Sequence, residues 1–171
     1  MEAIIGVSVN IEHIHSGVPF LNSVEKLDPA ETKTVVAGSS ANVASLLARF
    51  GWHPHVVGAV GKDGFGNEDI ARALTTRGIS CTLLPLRNAT PVATSLLFRS
   101  GKRYTVGSKP PIIAPAPPEV LTRLSGVGFD DRVLRIFTGL RPDEVPIAAA
   151  LVVPEQHTIL APSRALVRDM E

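Results

Sequence analysis

The run Ala3-Ile4-Ile5-Gly6-Val7-Ser8-Val9 constrains this chain more than any other feature. A short β-branched and aliphatic run without polar alternation is a strand buried on both faces, since a half-exposed strand alternates with period two. The same texture returns at Val56-Val57-Gly58-Ala59-Val60, at Val133 to Phe137 and at His157 to Leu160. Helical patterns lie between these runs. Ala37-Gly38-Ser39-Ser40-Ala41-Asn42 leads into Val43, Leu46, Leu47 and Phe50, whose i, i+3, i+4, i+7 spacing marks one buried helix face, and Gly51 stops it. Asn67 opens a second helix with Glu68 and Asp69 at its positive end, Ile70, Ala73 and Leu74 inward and Gly78 as its stop. Val120, Leu121 and Leu124 form a short helix, Asp143 to Val152 another with Pro146 near its first turn, and Ser163 to Glu171 a last. Strands alternating with helices make an α/β fold: a mostly parallel sheet flanked by helices and joined by right-handed crossovers.

Two stretches depart from this rhythm. Between Asn10 and Val36 the text is mixed, with turn signals at Gly17-Val18-Pro19 and Leu27-Asp28-Pro29, which reads as hairpin-like structure off the main sheet. After a β-prone run from Cys81 to Leu86, Val92 to Phe98 turns through Arg99-Ser100-Gly101-Lys102 into Arg103 to Val106, a second hairpin. Five prolines between Pro110 and Pro118 forbid helix or central strand and give a stiff surface loop.

Composition narrows the function classes. A chain of 171 residues is one globular domain that buries roughly 70% of its unfolded surface without needing a disulfide or metal. Its 17 basic and 16 acidic side chains leave a formal charge of +1, which argues against nucleic-acid and polybasic membrane partners. No apolar stretch is long enough to span a bilayer. The single cysteine, Cys81, excludes a disulfide framework within the chain and a Cys-rich zinc site. The opening Met1-Glu2-Ala3 lacks the basic region of a secretory signal, so a reducing, cytoplasmic location is expected.

Several motifs fail on their details. Gly58 to Gly66 is not a Walker loop, because only two residues separate Gly58 from Gly61 where four are needed, and Asp63 follows Lys62. Nor is it a dinucleotide fingerprint, since no third glycine follows Gly64 and Gly66. A Gly-x-Ser-x-Gly elbow is absent, and Ser39 and Ser40 stand where helix caps stand. His13/His15 and His53/His55 each place two imidazoles on one strand face. No Cys, Asp or Glu completes either set at ligand spacing, and Pro54 breaks the second strand.

A constellation carries more. Asn10 and Glu12 share a face at the end of the first strand, and Gly38-Ser39-Ser40-Ala41-Asn42 is a small-residue turn that opens a helix. In a parallel sheet the carboxyl ends of the strands face the binding crevice. Amide and carboxylate side chains beside exposed N–H groups suit a polyhydroxylated ligand, because each sugar hydroxyl both donates and accepts.

Ala37-Gly38-Ser39-Ser40-Ala41-Asn42-Val43-Ala44, the helix end Ala48-Arg49-Phe50-Gly51, Val60-Gly61 and Lys62-Asp63-Gly64-Phe65-Gly66 together resemble the first signature of the ribokinase or PfkB carbohydrate kinases. Gly6 to Ile14 resembles that family's first strand, and Gly78-Ile79 and Thr90-Pro91-Val92-Ala93 fall at its later landmarks. The resemblance implies a ribokinase-like fold with a small β-sheet lid, from about 15–36 and 92–106. It also implies transfer of the γ-phosphoryl of ATP, with Mg, to a hydroxymethyl group of a sugar or nucleoside. By position, Asn10 and Glu12 would meet substrate hydroxyls, Gly38 and Ser39 would line the sugar pocket, and Asn42 would hydrogen-bond the substrate. The lid would exclude water and is also where a homodimer would form.

The chain departs from the family at three points. Glu12 stands where the family has Asp, Ala37 and Ser40 where it has smaller residues, and the later Gly-Ala-Gly-Asp loop is absent. That loop supplies the anion hole and the proton-accepting Asp. Gly126-Val127-Gly128-Phe129-Asp130 does not replace it, since Phe129 separates glycine from acid and the stretch precedes a strand, not a helix. The family is nearly twice this length. The expectation is therefore a single incomplete domain over 1–171, the substrate side of the fold with its C-terminal half and the ATP and Mg sites missing, inactive alone. The rivals are a non-catalytic α/β module that binds a small ligand or dimerises, and a His-based metal hydrolase.

Overall fold

The structure is a computed structural model and describes residues 1–19, 29–61, 67–85, 89–108, 122, 133–140, 142–152 and 157–162. In chain order its elements are β1 (Glu2–Val7), β2 (Asn10–Val18), β3 (Glu31–Ala37), α1 (Ser39–Arg49), β4 (His53–Val60), α2 (Asn67–Thr75), β5 (Ser80–Pro85), β6 (Val92–Phe98), β7 (Arg103–Ser108), β8 (Leu134–Leu140), a 3-10 turn (Pro142–Glu144), α3 (Val145–Leu151) and β9 (Thr158–Pro162). Five strands form a parallel sheet in the order β5-β4-β1-β8-β9. The apolar opening run is thus the central strand. Ala3 and Ile5 enter one core with Val56, Ile70, Leu74 and Ile79, beneath α1 and α2. Ile4 enters the other with Val57, Leu84, Phe137, Ile147 and Leu151, beneath α3. Each such side chain contributes about 1.5–3 kcal/mol by leaving water. Among the described residues β9 is the outermost strand on that side, and its Ile159 and Leu160 are both exposed.

The second sheet has the order β3-β2-β6-β7, with β2 and β6 parallel and the outer pairs antiparallel. It is the expected lid, and its strands begin at Asn10 rather than 15. The first strand is correspondingly shorter than the sequence suggests. β1 ends at Val7, because the Ser8 carbonyl accepts a hydrogen bond from the Ser40 N–H at 3.1 Å instead of continuing the ladder. Asn10 and Glu12 therefore open a lid strand and do not close the first strand of the main sheet.

Two local expectations are corrected. Pro54 does not break β4: it lies in register with Ala3, while the His53 N–H next to it donates to Met1 O on the β1 side. The missing N–H of Pro54 points to the other side, where pairing with β5 starts only at His55. On α1 the buried residues are Ser40, Ala41 and Ala44, whereas Leu46 is 53% and Phe50 73% exposed. Val43 and Leu47 of the expected stripe do pack, half-buried, against the core, and the small residues let α1 approach the sheet closely while Leu46 and Phe50 turn outward. α2 keeps the expected face, with Ile70 and Leu74 fully buried, and Gly78 ends it by donating its N–H to Thr75 O.

No helix among the described residues is long and apolar enough to cross a membrane. The Lys62-to-Gly66 loop, the proline run 110–118, Gly126 to Asp130 and the last helical pattern from Ser163 lie outside the described residues. So does the helix around 120–124, except Thr122.

Candidate substrate site

The two sheets meet at a cleft whose walls are set by two glycines. Gly38 has φ +102°, and a Cβ there would strike the Ser8 carbonyl oxygen and lie 2.9 Å from both Asn10 Oδ1 and Val9 Cα. Only glycine fits, and its carbonyl accepts the Asn42 N–H at 3.0 Å to start α1. Across the cleft Gly139 has φ +65°, and a Cβ there would meet Ser39 Oγ, with Ser39 Cβ at 3.1 Å. The chain thus enters α1 through a residue without a side chain. Gly38 is the N-cap, no side chain caps the helix, and the expected capping role of Ser39 and Ser40 is not found. Ser39 lines the cleft, while Ser40 Oγ is buried and has no hydrogen-bond partner among the described residues.

The cleft encloses a cavity of about 370 Å³, within the range of small-molecule sites. Asn10, Glu12, Gly38, Ser39 and Asn42 all line it, although they come from a lid strand, a turn and a helix. The Asn10 Nδ2–H donates to Ile11 O at 3.1 Å, which turns its Oδ1 toward Gly38. The far rim is fixed by backbone: Ile11 N–H donates to Pro91 O, and Gly61 N–H donates to Thr90 Oγ1, each at 3.0 Å.

Glu12 is only 8% exposed. Its Oε1 accepts hydrogen bonds from the Ser95 hydroxyl and from Arg103 Nη2. Ser95, fully buried, in turn accepts from the Thr105 hydroxyl at 2.7 Å and from Arg103 Nε at 3.2 Å. The longer reach of Glu relative to Asp is absorbed here, by partners on the next two lid strands. Oε2 makes no hydrogen bond among the described residues and remains an acceptor.

Arg103, Ser95 and Thr105 were not legible as site residues, and neither was Glu144, which is 2% exposed and lines the cavity beyond β8. Alternation of polar side chains at Arg103 and Thr105 does mark one face of β7. What places that face over Glu12 is strand register, in which Ser95 pairs with Thr105 and Leu97 with Arg103.

The histidines have other partners. His13 bonds Thr34 at 2.9 Å and His15 bonds Thr32 at 3.1 Å, while His55 is held by Ser80 at 2.8 Å and Thr82 at 2.9 Å. Burial pushes the His55 pKa down and the Cys81 thiol pKa up, so neither is tuned as a charged reactive group at neutral pH. Among the described residues no three of His, Cys, Asp and Glu come together to hold a metal ion.

Residues 8–121, about two thirds of the chain, match the model of the pfkB family carbohydrate kinases. The chain belongs to this family. Its architecture agrees with solved structures of similar fold. Phosphofructokinase-2 from Escherichia coli in complex with fructose-6-phosphate superposes with a TM-score of 0.72 at 16% identity, over 96% of this chain and 55% of that one. Ribokinase from Giardia lamblia does so with a TM-score of 0.70 at 18% identity, over 96% and 56%. The chain therefore spans little more than half the length of the solved structures it matches. No curated protein matches it.

Proposed function

We propose that this chain supplies the sugar-binding side of an ATP-dependent carbohydrate kinase, and that it grips a sugar or nucleoside through Asn10, Glu12, Gly38, Ser39 and Asn42. The observation that carries this reading is convergence: five residues spread over 33 positions of sequence line one cavity, under a lid that could exclude water from a transferring phosphoryl group. Their chemistry suits a polyol. Amide, hydroxyl and carboxylate groups offer both donors and acceptors, and Glu12 Oε2 is free to accept from a sugar hydroxyl.

The family implies ATP and Mg. The described residues do not fit a Mg ion, because no set of three candidate metal ligands converges among them and the Glu12 carboxylate is already paired with Arg103. Phosphoryl transfer needs an anion hole and a base for the hydroxyl proton, and the Gly-Ala-Gly-Asp loop that the family uses does not occur in these 171 residues. Binding without turnover is the expected behaviour of the chain alone. The same reading places it in the cytoplasm with Cys81 reduced. A second copy would dock on the outer face of the lid, where Tyr104 is 58% and Val106 72% exposed.

Thermal denaturation of the 171-residue chain with D-ribose, D-fructose or adenosine tests the reading. At least one of them should raise the melting temperature, by the equivalent of about 2.7 kcal/mol at one hundred times its Kd. Asn42→Ala should remove the effect. Absence of any shift with all three would overturn the binding claim, and sugar-dependent ADP release from ATP would overturn the claim of binding without turnover.

A further inference from the structure

We infer that Arg103 is a further sugar-contacting residue, paired with Glu12 as one donor–acceptor clamp for two adjacent hydroxyls of an uncharged sugar. The inference rests on the reading that the cavity holds a sugar, and it adds the class: neutral on the side that faces the lid.

The two side chains leave complementary hydrogen-bonding capacity open. A guanidinium is planar and carries five N–H donors in a fixed fork. The edge of Arg103 formed by Nε and Nη2 is docked on Ser95 and Glu12. Nη1 makes no hydrogen bond among the described residues, so two of the five donors are left. Glu12 is complementary. Both of its bonds go to Oε1, and Oε2 is not among the sealed polar atoms of the described residues, which are Ser40 Oγ, Arg135 Nε and Thr158 Oγ1. The open donor and the open acceptor sit on neighbouring groups that line the same cavity.

Such a pair suits vicinal hydroxyls: one donates its proton to Oε2 while its neighbour accepts from Nη1. Charge argues for the same ligand class. The Arg103 guanidinium already faces a carboxylate, so a phosphate group brought to Nη1 would also meet the negative charge of Glu12. A neutral diol meets no such repulsion. Position favours the pairing as well: Glu12, Ser95 and Arg103 lie on three adjacent strands of the lid sheet, β2, β6 and β7. Order in the lid and grip on the sugar are therefore linked through the same side chains.

Isothermal titration of the 171-residue chain with D-ribose, D-fructose and fructose 6-phosphate is the test, with Arg103→Met, Arg103→Lys, Glu12→Gln and the double Arg103→Met/Glu12→Gln variant. Arg103→Met should weaken the neutral sugar about tenfold or more. Arg103→Lys, which keeps the charge and loses the fork, should recover part of that loss and serves if the Met variant does not fold. The double variant should bind no more weakly than Glu12→Gln alone, because the clamp works as a unit. Wild-type affinity in both Arg103 variants overturns the inference and leaves the sugar reading standing. Tighter binding of fructose 6-phosphate than of fructose, lost with Arg103→Met, overturns it by making Arg103 a phosphate reader. Failure of all three sugars to bind the wild-type chain overturns the reading beneath it.

Discussion

The main sheet and the lid sheet share most of their residue types and differ in where the polar ones point. In β1 every residue after Glu2 is buried, and in β4 the run from Val56 to Val60 is buried on both faces. In the lid, β3 is exposed over its first four residues, β7 is exposed along Arg103 to Gly107, and the inner face carries Glu12, Ser95, Arg103 and Thr105. One sheet is held by apolar area, which needs no ligand. The other is held in large part by hydrogen bonds among groups that also face a cavity, so its order is open to whatever enters there. The difference teaches where binding energy can act: on the lid, against a main sheet held by its apolar core.

The largest expected effect tests the main sheet. Phe137→Ala removes a fully buried ring that packs with Ile4 and Leu151, and should cost about 3–5 kcal/mol, with both sheets lost in one thermal transition. Separate transitions would show that the lid stands independently. Next, Gly38→Ala places a Cβ against the Ser8 carbonyl at φ +102° and should cost about 2 kcal/mol or more, with loss of sugar binding. Ser95→Ala should act on the lid alone. It removes a buried partner of the Glu12 carboxylate at a cost of about 1–3 kcal/mol, and amide exchange should rise in β2, β6 and β7 while β1 and β4 stay protected. Faster exchange throughout would break the distinction.

A smaller effect concerns pH. Burial holds the His55 pKa below its ordinary 6.5, so the unfolded chain takes up a proton before the native one does. The contribution is intact above about pH 6.5 and is lost as pH falls toward the lower native value. His55→Gln should flatten that part of a stability profile measured between pH 8 and 5. Smallest of all, Thr34→Val breaks the exposed cross-strand bond to His13 on the outer lid face and should cost under about 1 kcal/mol, with sugar affinity unchanged.

How far the fold could be read followed from how local its signals are. The central position of β1, the inward face of α2 at Ile70 and Leu74 and the stop at Gly78 are each determined within a few residues, and each is found as expected. Gly38, Ser39 and Asn42 of the proposed site were legible because a turn and a helix start announce themselves by small residues, whereas Asn10 and Glu12 were legible as polar side chains on one face but not as members of a lid strand. Arg103 was missed for the opposite reason. Its role depends on the register of β6 and β7 and on the presence of Glu12 two strands away, which no window of sequence contains. The exposed Leu46 and Phe50 show the same limit: periodicity finds a stripe, whereas close packing through Ala41 and Ala44 decides which way the helix turns.

The edge strand β9 bears on how the protein behaves as a colloid. Its neighbours Ile159 and Leu160 project to opposite faces of a strand that, among the described residues, is paired on one side only, by β8. A strand that is sticky above, below and along its open backbone recruits other extended chains as concentration rises. Light scattering should therefore grow with protein concentration faster than for a compact monomer, and a charged residue at position 160 should suppress the growth without touching the sugar cavity.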